Sequence, residues 1–134
     1  MSTPSLRFGY TIAYVPDVSA SLDFFEQAFG LQRKFLHESG LYGELNTGST
    51  TLAFASHAMG ELHFPAGFVK ASQSSTPLGL ELALIADNVI QAHAHALACG
   101  ALELAAPEEK PWGQTVSYVR CPDGLLVELC SPMG

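Results

Sequence analysis

The chain is written twice, and that repetition constrains its fold more than any other feature. Residues 9–30 read GYTIAYVPDVSASLDFFEQAFG, and residues 79–100 read GLELALIADNVIQAHAHALACG. In each, an apolar run meets an aspartate (Asp17, Asp87), then an amphipathic stretch, then a glycine (Gly30, Gly100). The spacing from aspartate to glycine is the same in both copies. Self-similarity at a fixed period is the signature of a repeated supersecondary unit. Short strand-like segments follow each glycine, so each copy reads as a β-α-β-β-β module.

The pattern along the first module, about residues 6–60, supports this. Phe8–Val15 is rich in aromatic and β-branched residues and ends at Pro16, as a strand does. Asp17 or Ser19 can cap a helix over Val18–Phe29, in which Leu22, Phe25 and Phe29 recur at helical spacing. Gly30 is the stop. Gln32–Ser39, Tyr42–Asn46 and Thr51–Ser56 read as strands, with turns at Gly40 and Thr47-Gly48. Residues 57–77 have no periodicity and read as a long connection, of the kind that is usually functional or mobile.

The second module, about residues 77–132, predicts a strand over Leu80–Ala86, a helix over Asn88–Cys99 and a short strand over Ala101–Leu104. A polar loop over Pro107–Pro111 follows, then strands over Thr115–Arg120 and Leu125–Cys130, joined at Pro122-Asp123-Gly124. Strand side chains alternate between faces. Glu128 therefore shares a face with Leu126 and Cys130, opposite the apolar set Leu125, Val127 and Leu129 that should meet the helix. The same parity sets Glu81 with Ala83 and Ile85, opposite Leu80, Leu82 and Leu84.

Composition excludes several function classes. The chain has 134 residues, 48% hydrophobic and only 14% charged, with a net charge of −7 and six lysines and arginines. Its length suits one domain with a core of its own. Nucleic-acid binding rests on neutralising phosphates, which this balance opposes. No apolar run approaches the ~18 residues of a membrane span. The few charges leave apolar surface that a homodimer interface would cover. Cys99, Cys121 and Cys130 share no metal spacing, and no signal-peptide pattern opens the chain, so a cytoplasmic protein with reduced thiols is expected.

Three runs carry a family resemblance. Cys121-Pro-Asp-Gly-Leu-Leu-Val-Glu128-Leu-Cys-Ser-Pro132 resembles the DPDG-x-x-x-EL signature of the vicinal oxygen chelate superfamily, which includes glyoxalase I, extradiol dioxygenases and bleomycin-resistance proteins. The opening YTIAYVPDVSASLDFFEQAFGL is similar to that group's first strand and helix. Lys110-Pro-Trp-Gly-Gln114 resembles its loop before the second-last strand. The resemblance implies an α+β fold in which the two modules curl into a half-barrel cup, completed in a homodimer. It spans nearly the whole of residues 1–134, as a single domain.

The resemblance also implies where a site would lie, because family metal ligands come from the first and last strand of each module. Carried over, Glu128 matches the closing ligand and Glu81 the opening ligand of the second module. In the first module Tyr10, or Thr11 one residue on, stands at the opening position, and Leu52 or Ala53 at the closing one. Two carboxylates make a poor Zn²⁺ or Ni²⁺ site, and the extradiol Fe(II) site needs two histidines and a carboxylate. No metal or other cofactor is therefore expected. A divalent ion (Zn, Ni, Mn or Fe), were one bound, would sit on Glu81 and Glu128. His93 and His95 are two apart on one helix and read as a solvated face. His57 and His63 flank the mid-chain connection with Glu61.

Two functions follow. One is a small-molecule binding protein of the bleomycin-resistance type, with an acidic, aromatic cup. There Glu81 and Glu128 would meet the ligand beside Tyr10, Tyr14, His37, Trp112 and Tyr118. The other is a divalent-metal lyase or isomerase resembling glyoxalase I, in which the same two carboxylates are ligands or catalytic base. The departures in the first module favour the first.

Overall fold

The computed structural model describes residues 2–133, with Met1 and Gly134 outside them. Two mixed four-stranded sheets form, one from each module. The first contains β1 (Tyr10–Val15), β2 (Gln32–Leu36), β3 (Tyr42–Asn46) and β4 (Thr51–Ser56), in the order β1-β4-β3-β2. The second contains β5 (Glu81–Ile85), β6 (Leu102–Glu109), β7 (Thr115–Arg120) and β8 (Leu126–Cys130), in the order β5-β8-β7-β6. In each, the first and last strands of the module pair in parallel and the other neighbours are antiparallel. The α+β architecture of two β-α-β-β-β modules is as the repeat implies.

Helix α1 (Val18–Phe29) forms where its punctuation stands. The Asp17 carboxylate accepts a hydrogen bond from the Ala20 amide at 3.1 Å, and Gly30 closes the helix at φ 69°, a conformation that favours glycine. The stripe Val18, Leu22, Phe25 is buried against the first sheet. Gly43 on β3 permits this closeness, since a Cβ there would lie 2.7 Å from the Leu22 side chain. Helix α3 (Val89–Ala98) covers the second sheet in the same way and touches α1. One apolar core runs through both modules, from Val15, Leu22, Phe25 and Phe54 to Val89, Val119, Val127 and Leu129.

The two copies match structurally one residue away from the sequence alignment. Asp17 caps α1, but Asn88, not Asp87, caps α3, its side chain accepting from the Gln91 amide at 3.0 Å. Either residue type serves as a cap, so the sequence alone does not discriminate. The shift makes Tyr10 the counterpart of Glu81. Leu52 belongs to the core and Ala53 does not, so Ala53 is the counterpart of Glu128.

The connection over residues 57–77 is more ordered than expected. It contains α2 (His57–His63), capped by the Ser56 hydroxyl, and a 3-10 turn over Ala71–Gln73. Helix α2 is short and carries Gly60, where a Cβ would lie 2.7 Å from the Phe68 ring, so no helical apolar period announces it. Arg120 pins the connection to the second module, donating to the carbonyls of Ala71 (2.9 Å), Ser74 (2.7 Å) and Gly124 (3.2 Å). Strand β6 also runs through the expected Pro107–Pro111 loop, as far as Glu109. Proline is tolerated there because β6 is an edge strand with irregular register between Ala105 and Glu108. Strands β1, β2, β5 and β8 are slightly shorter than read from sequence.

Candidate functional site

Helices α1 and α3 cover one face of each sheet; on the other face, α2 and the connection cover the Tyr14 end of the first sheet, and the second sheet is open. Leu82, Leu84, Val127 and Leu129 point into the core, which leaves Glu81, Ala83 and Ile85 of β5 and Glu128 of β8 on the open face. Ala83 pairs with Glu128 and Glu81 with Leu126, so the two carboxyl groups sit on neighbouring strands one pleat apart. Tyr118 of β7 pairs with Glu128 and donates its hydroxyl to it at 3.2 Å.

Glu81, Tyr118 and Cys130 hold their protons more tightly than free side chains do. The Glu81 carboxyl lies above the ordinary range, chiefly through its hydrogen bond with Glu128, then through burial and the Glu128 charge. Burial and the nearby Glu128 charge push the Tyr118 phenol up, and they raise the Cys130 thiol likewise. A carboxyl pair that retains a proton can accept hydrogen bonds, donate one, or release the proton to admit a cation.

The corresponding face of the first module carries a different set. Tyr10 is exposed on β1, and Ala53 on β4 is fully covered by its neighbours. Glu44 on β3 pairs with Ala53, as Tyr118 pairs with Glu128 in the second module. The first sheet thus carries its carboxylate on the third strand of the module, at the position of Tyr118, and an alanine at the position of Glu128. Glu44 is 7% exposed; it accepts the Tyr42 hydroxyl at 2.7 Å, and Lys34 Nζ lies 3.6 Å from its other oxygen. Burial, the Glu44 hydrogen bond and the Glu44 charge raise the Tyr42 phenol far above its usual range. Glu44 escaped the sequence reading because only the β3–β4 register shows what it stands beside.

The remaining candidates separate. Tyr14 shares a face with Tyr10 but is roofed by Phe64 and Phe68 of the connection, with ring centroids at 5.8 and 5.3 Å. His37 follows β2 in an exposed turn, with Nδ1 2.8 Å from the Ser39 hydroxyl. Trp112 is exposed at the β6–β7 turn and donates its indole N–H to Gln114 at 2.8 Å. His93, expected on a solvated helix face, is buried between α3 and the second sheet. Its ring nitrogens lie 2.9 Å from Ser117 and 2.8 Å from Glu103. It falls on the same stripe as Val89 and Ala96, which face the sheet. His95 alone of that pair is exposed, with Nε2 2.8 Å from the Gln27 carbonyl.

Three of the cavities among the described residues bear on where a ligand could sit. One lies at the start of α1 beside Pro122 and Asp123, one between the end of α1 and the start of α3, and one between β1 and the 78–80 and 124–126 segments. None of the three is lined by Tyr10, Glu81, Trp112 or Glu128. The acidic face is an open surface in a single chain, flanked by exposed Leu80, Ile85, Leu102 and Leu104. Among the described residues no three His, Cys, Asp or Glu side chains converge as a metal site would require. The donor set of one chain does not fit a resident transition metal.

The Asp123-Gly124 turn has a structural role. Ser21 of α1 donates to the buried Asp123 carboxylate at 2.7 Å, tying the modules together. Gly124 has φ 91°, and a Cβ there would lie 2.3 Å from the Ala71 carbonyl oxygen.

Solved structures share this architecture. A glyoxalase/bleomycin resistance protein/dioxygenase family enzyme from Burkholderia phytofirmans PsJN is 23% identical, with a TM-score of 0.75 over 91% of this chain and 95% of that one. A glyoxalase-related enzyme from Fulvimarina pelagi is 20% identical, with a TM-score of 0.76 over 94% of this chain and 88% of that one. A glyoxalase/bleomycin resistance protein/dioxygenase superfamily member from Sphaerobacter thermophilus is 18% identical, with a TM-score of 0.67 over 96% and 98%. At these identities the likeness is one of fold. A search of curated proteins returned no match. The glyoxalase-like domain model matches residues 8–134, and the chain therefore belongs to the glyoxalase-like family of the vicinal oxygen chelate superfamily.

Proposed function

We propose that this protein binds a small molecule on the open face of its second sheet, with the Glu81–Glu128 pair recognising a polar or cationic group. The observation that carries the reading is that pair: two carboxyl groups on neighbouring strands, aimed away from the core and braced by Tyr118. Structural carboxylates are usually placed against cations, and no cation faces this pair among the described ion pairs. Tyr10 and Trp112 would bury the apolar part of the ligand once the face is covered. Covering is assigned to a second copy of the chain, since the apolar residues beside the pair are exposed. No tightly held metal enters this reading. The three cysteines are unpaired, and among the described residues no helix is long and apolar enough to cross a membrane, which suits a cytoplasmic location.

The proton held by Glu81 gives substance to a second reading, isomerase or lyase chemistry on a carbon acid. A carboxylate within reach of the α-proton of a carbonyl compound could take it and return it elsewhere. Binding is preferred, because Glu44, the buried carboxylate of the first sheet, is already engaged by Tyr42 and Lys34 and is not free to act as a second base.

The test is Glu128→Gln, which keeps the shape and removes the charge. A ligand found by thermal-shift screening should bind this variant about tenfold more weakly, the scale of one charge-assisted hydrogen bond, with the free protein's midpoint nearly unchanged. A lowered midpoint with unchanged affinity would make Glu128 a structural partner of Tyr118 and overturn the reading.

A further inference from the structure

On the first sheet, Glu44, Tyr42, Tyr10, Phe35 and Lys34 form a cluster that the Glu81–Glu128 reading does not use. Glu44 is nearly fully buried on the face turned away from α1, where α2 covers the neighbouring Tyr14 end of the sheet. Aromatic side chains share its face: Tyr42 donates to one carboxylate oxygen, the Phe35 ring lies 6.0 Å from the Tyr42 ring, and Tyr10 stands on β1 at the far side of β4. Beneath them Ala53 and Ala55 are 0% and 2% exposed, so the floor is small and apolar. The second carboxylate oxygen faces Lys34 Nζ at 3.6 Å, longer than a good charge-assisted hydrogen bond, from a side chain that is 58% exposed. An ammonium group already occupies this place, loosely and from the solvent side. Aromatic walls around a buried carboxylate are the chemistry that recognises an alkylammonium ion.

We propose that Glu44 is a specificity-determining residue of the ligand site, selecting a primary amine whose ammonium group displaces that of Lys34. This deepens the proposed function and rests on it for the site's existence. The carboxylate faces the ligand from the first sheet, as the Glu81–Glu128 pair does from the second. Lys34 acts as an internal competitor: the ligand's ammonium replaces it on the Glu44 carboxylate, whereas a neutral molecule leaves the lysine in place and gains no charge-assisted hydrogen bond.

The experiment uses 2-phenylethylamine and its neutral analogue 2-phenylethanol, titrated into the purified full chain by calorimetry. Wild-type protein should prefer the amine by about tenfold, the scale of one hydrogen bond to a charged group. Lys34→Met, a change at an exposed side chain, should tighten amine binding by a similar factor and leave the alcohol unaffected. Glu44→Gln should abolish the preference. Retention of the preference in Glu44→Gln, failure of Lys34→Met to tighten amine binding, or no binding of either probe would each overturn the assignment. Should Glu44→Gln misfold, the Lys34→Met comparison decides alone. Failure of the broader reading is read separately, from a Glu128→Gln variant that binds the amine as wild type does while Glu44→Gln does not.

Discussion

At the scale of single residues, the acidic face gains its character from one hydrogen bond. Glu81 holds its proton above the ordinary carboxyl range because Glu128 is its partner. A group whose folded pKa is raised contributes stability that is present at low pH and lost as pH rises through the folded value. The contribution of Glu81 is therefore complete below its unfolded value of 4.5 and declines above it. Asp123, raised by burial in the chain's interior, acts in the same direction. Burial lowers the His57 imidazole, which acts against them over the same range, so the comparison with wild type is decisive: between pH 7 and pH 5 the Glu81→Gln midpoint should gain less, or fall further, than that of wild type. A midpoint profile for Glu81→Gln that parallels wild type would contradict the proton-holding pair. The faces of Glu81 and Glu128 were legible from parity, because each sits in a short strand with an unbroken apolar alternate set, and the family resemblance singled the two out. Glu44 was not, because Tyr42-Gly43-Glu44 reads as an ordinary strand until the register sets Glu44 against Ala53.

At the scale of elements, the least replaceable contact is the one between the β7–β8 turn and the mid-chain connection. Gly124 is held there by its positive φ and by the Ala71 carbonyl, and Arg120 holds the same segment from beside it. Gly124→Ala should cost about 3 kcal/mol or more in urea denaturation, from backbone strain and collision with a carbonyl that Arg120 keeps in place. A loss under about 1 kcal/mol, the usual range for a tolerated surface change, would mean that the connection is not pinned. Helix α1 was readable because Asp17, its apolar stripe and Gly30 all mark the same element. Helix α2 was not, because it is short, presents Gly60 rather than an apolar stripe to Tyr14 and Phe68, and so shows no helical apolar period. Strand β6 exceeded its reading because edge position, invisible in sequence, makes Pro107 tolerable. His93 was misplaced for a related reason. Histidine spacing shows which residues do not face each other, but not which side of an alanine-rich helix meets the sheet.

At the scale of the whole molecule, the second sheet keeps an open face and the first a partly covered one, and β1 and β5 each end a sheet. Exposed Tyr10, Ile12, Leu80, Ile85, Leu102 and Leu104 lie on or beside these edges and faces. An apolar surface of this kind favours association, and the proposed partner is a second copy. Sedimentation at micromolar concentration should show twice the 14.3 kDa chain mass, and Ile85→Glu should shift the protein toward monomer. A wild-type protein sedimenting as one chain would contradict the covered cup. The repeat made the module order readable. It did not show how the two sheets are disposed, because that depends on helix contacts between modules, such as Ser21 with Asp123, far apart in sequence.

The central claim is that the open acidic face, and not a cavity between the helices, receives the ligand. Amide shift mapping by two-dimensional NMR tests it most directly, using ¹⁵N-labelled protein and 2-phenylethylamine or any hit from the thermal screen. The account predicts perturbations centred on Glu81, Ala83, Tyr118 and Glu128, joined by Lys34 and Glu44 when the titrant is the amine. Perturbations confined to Gln27–Gly30 and Asp87–His95, which line the cavity between α1 and α3, would contradict it.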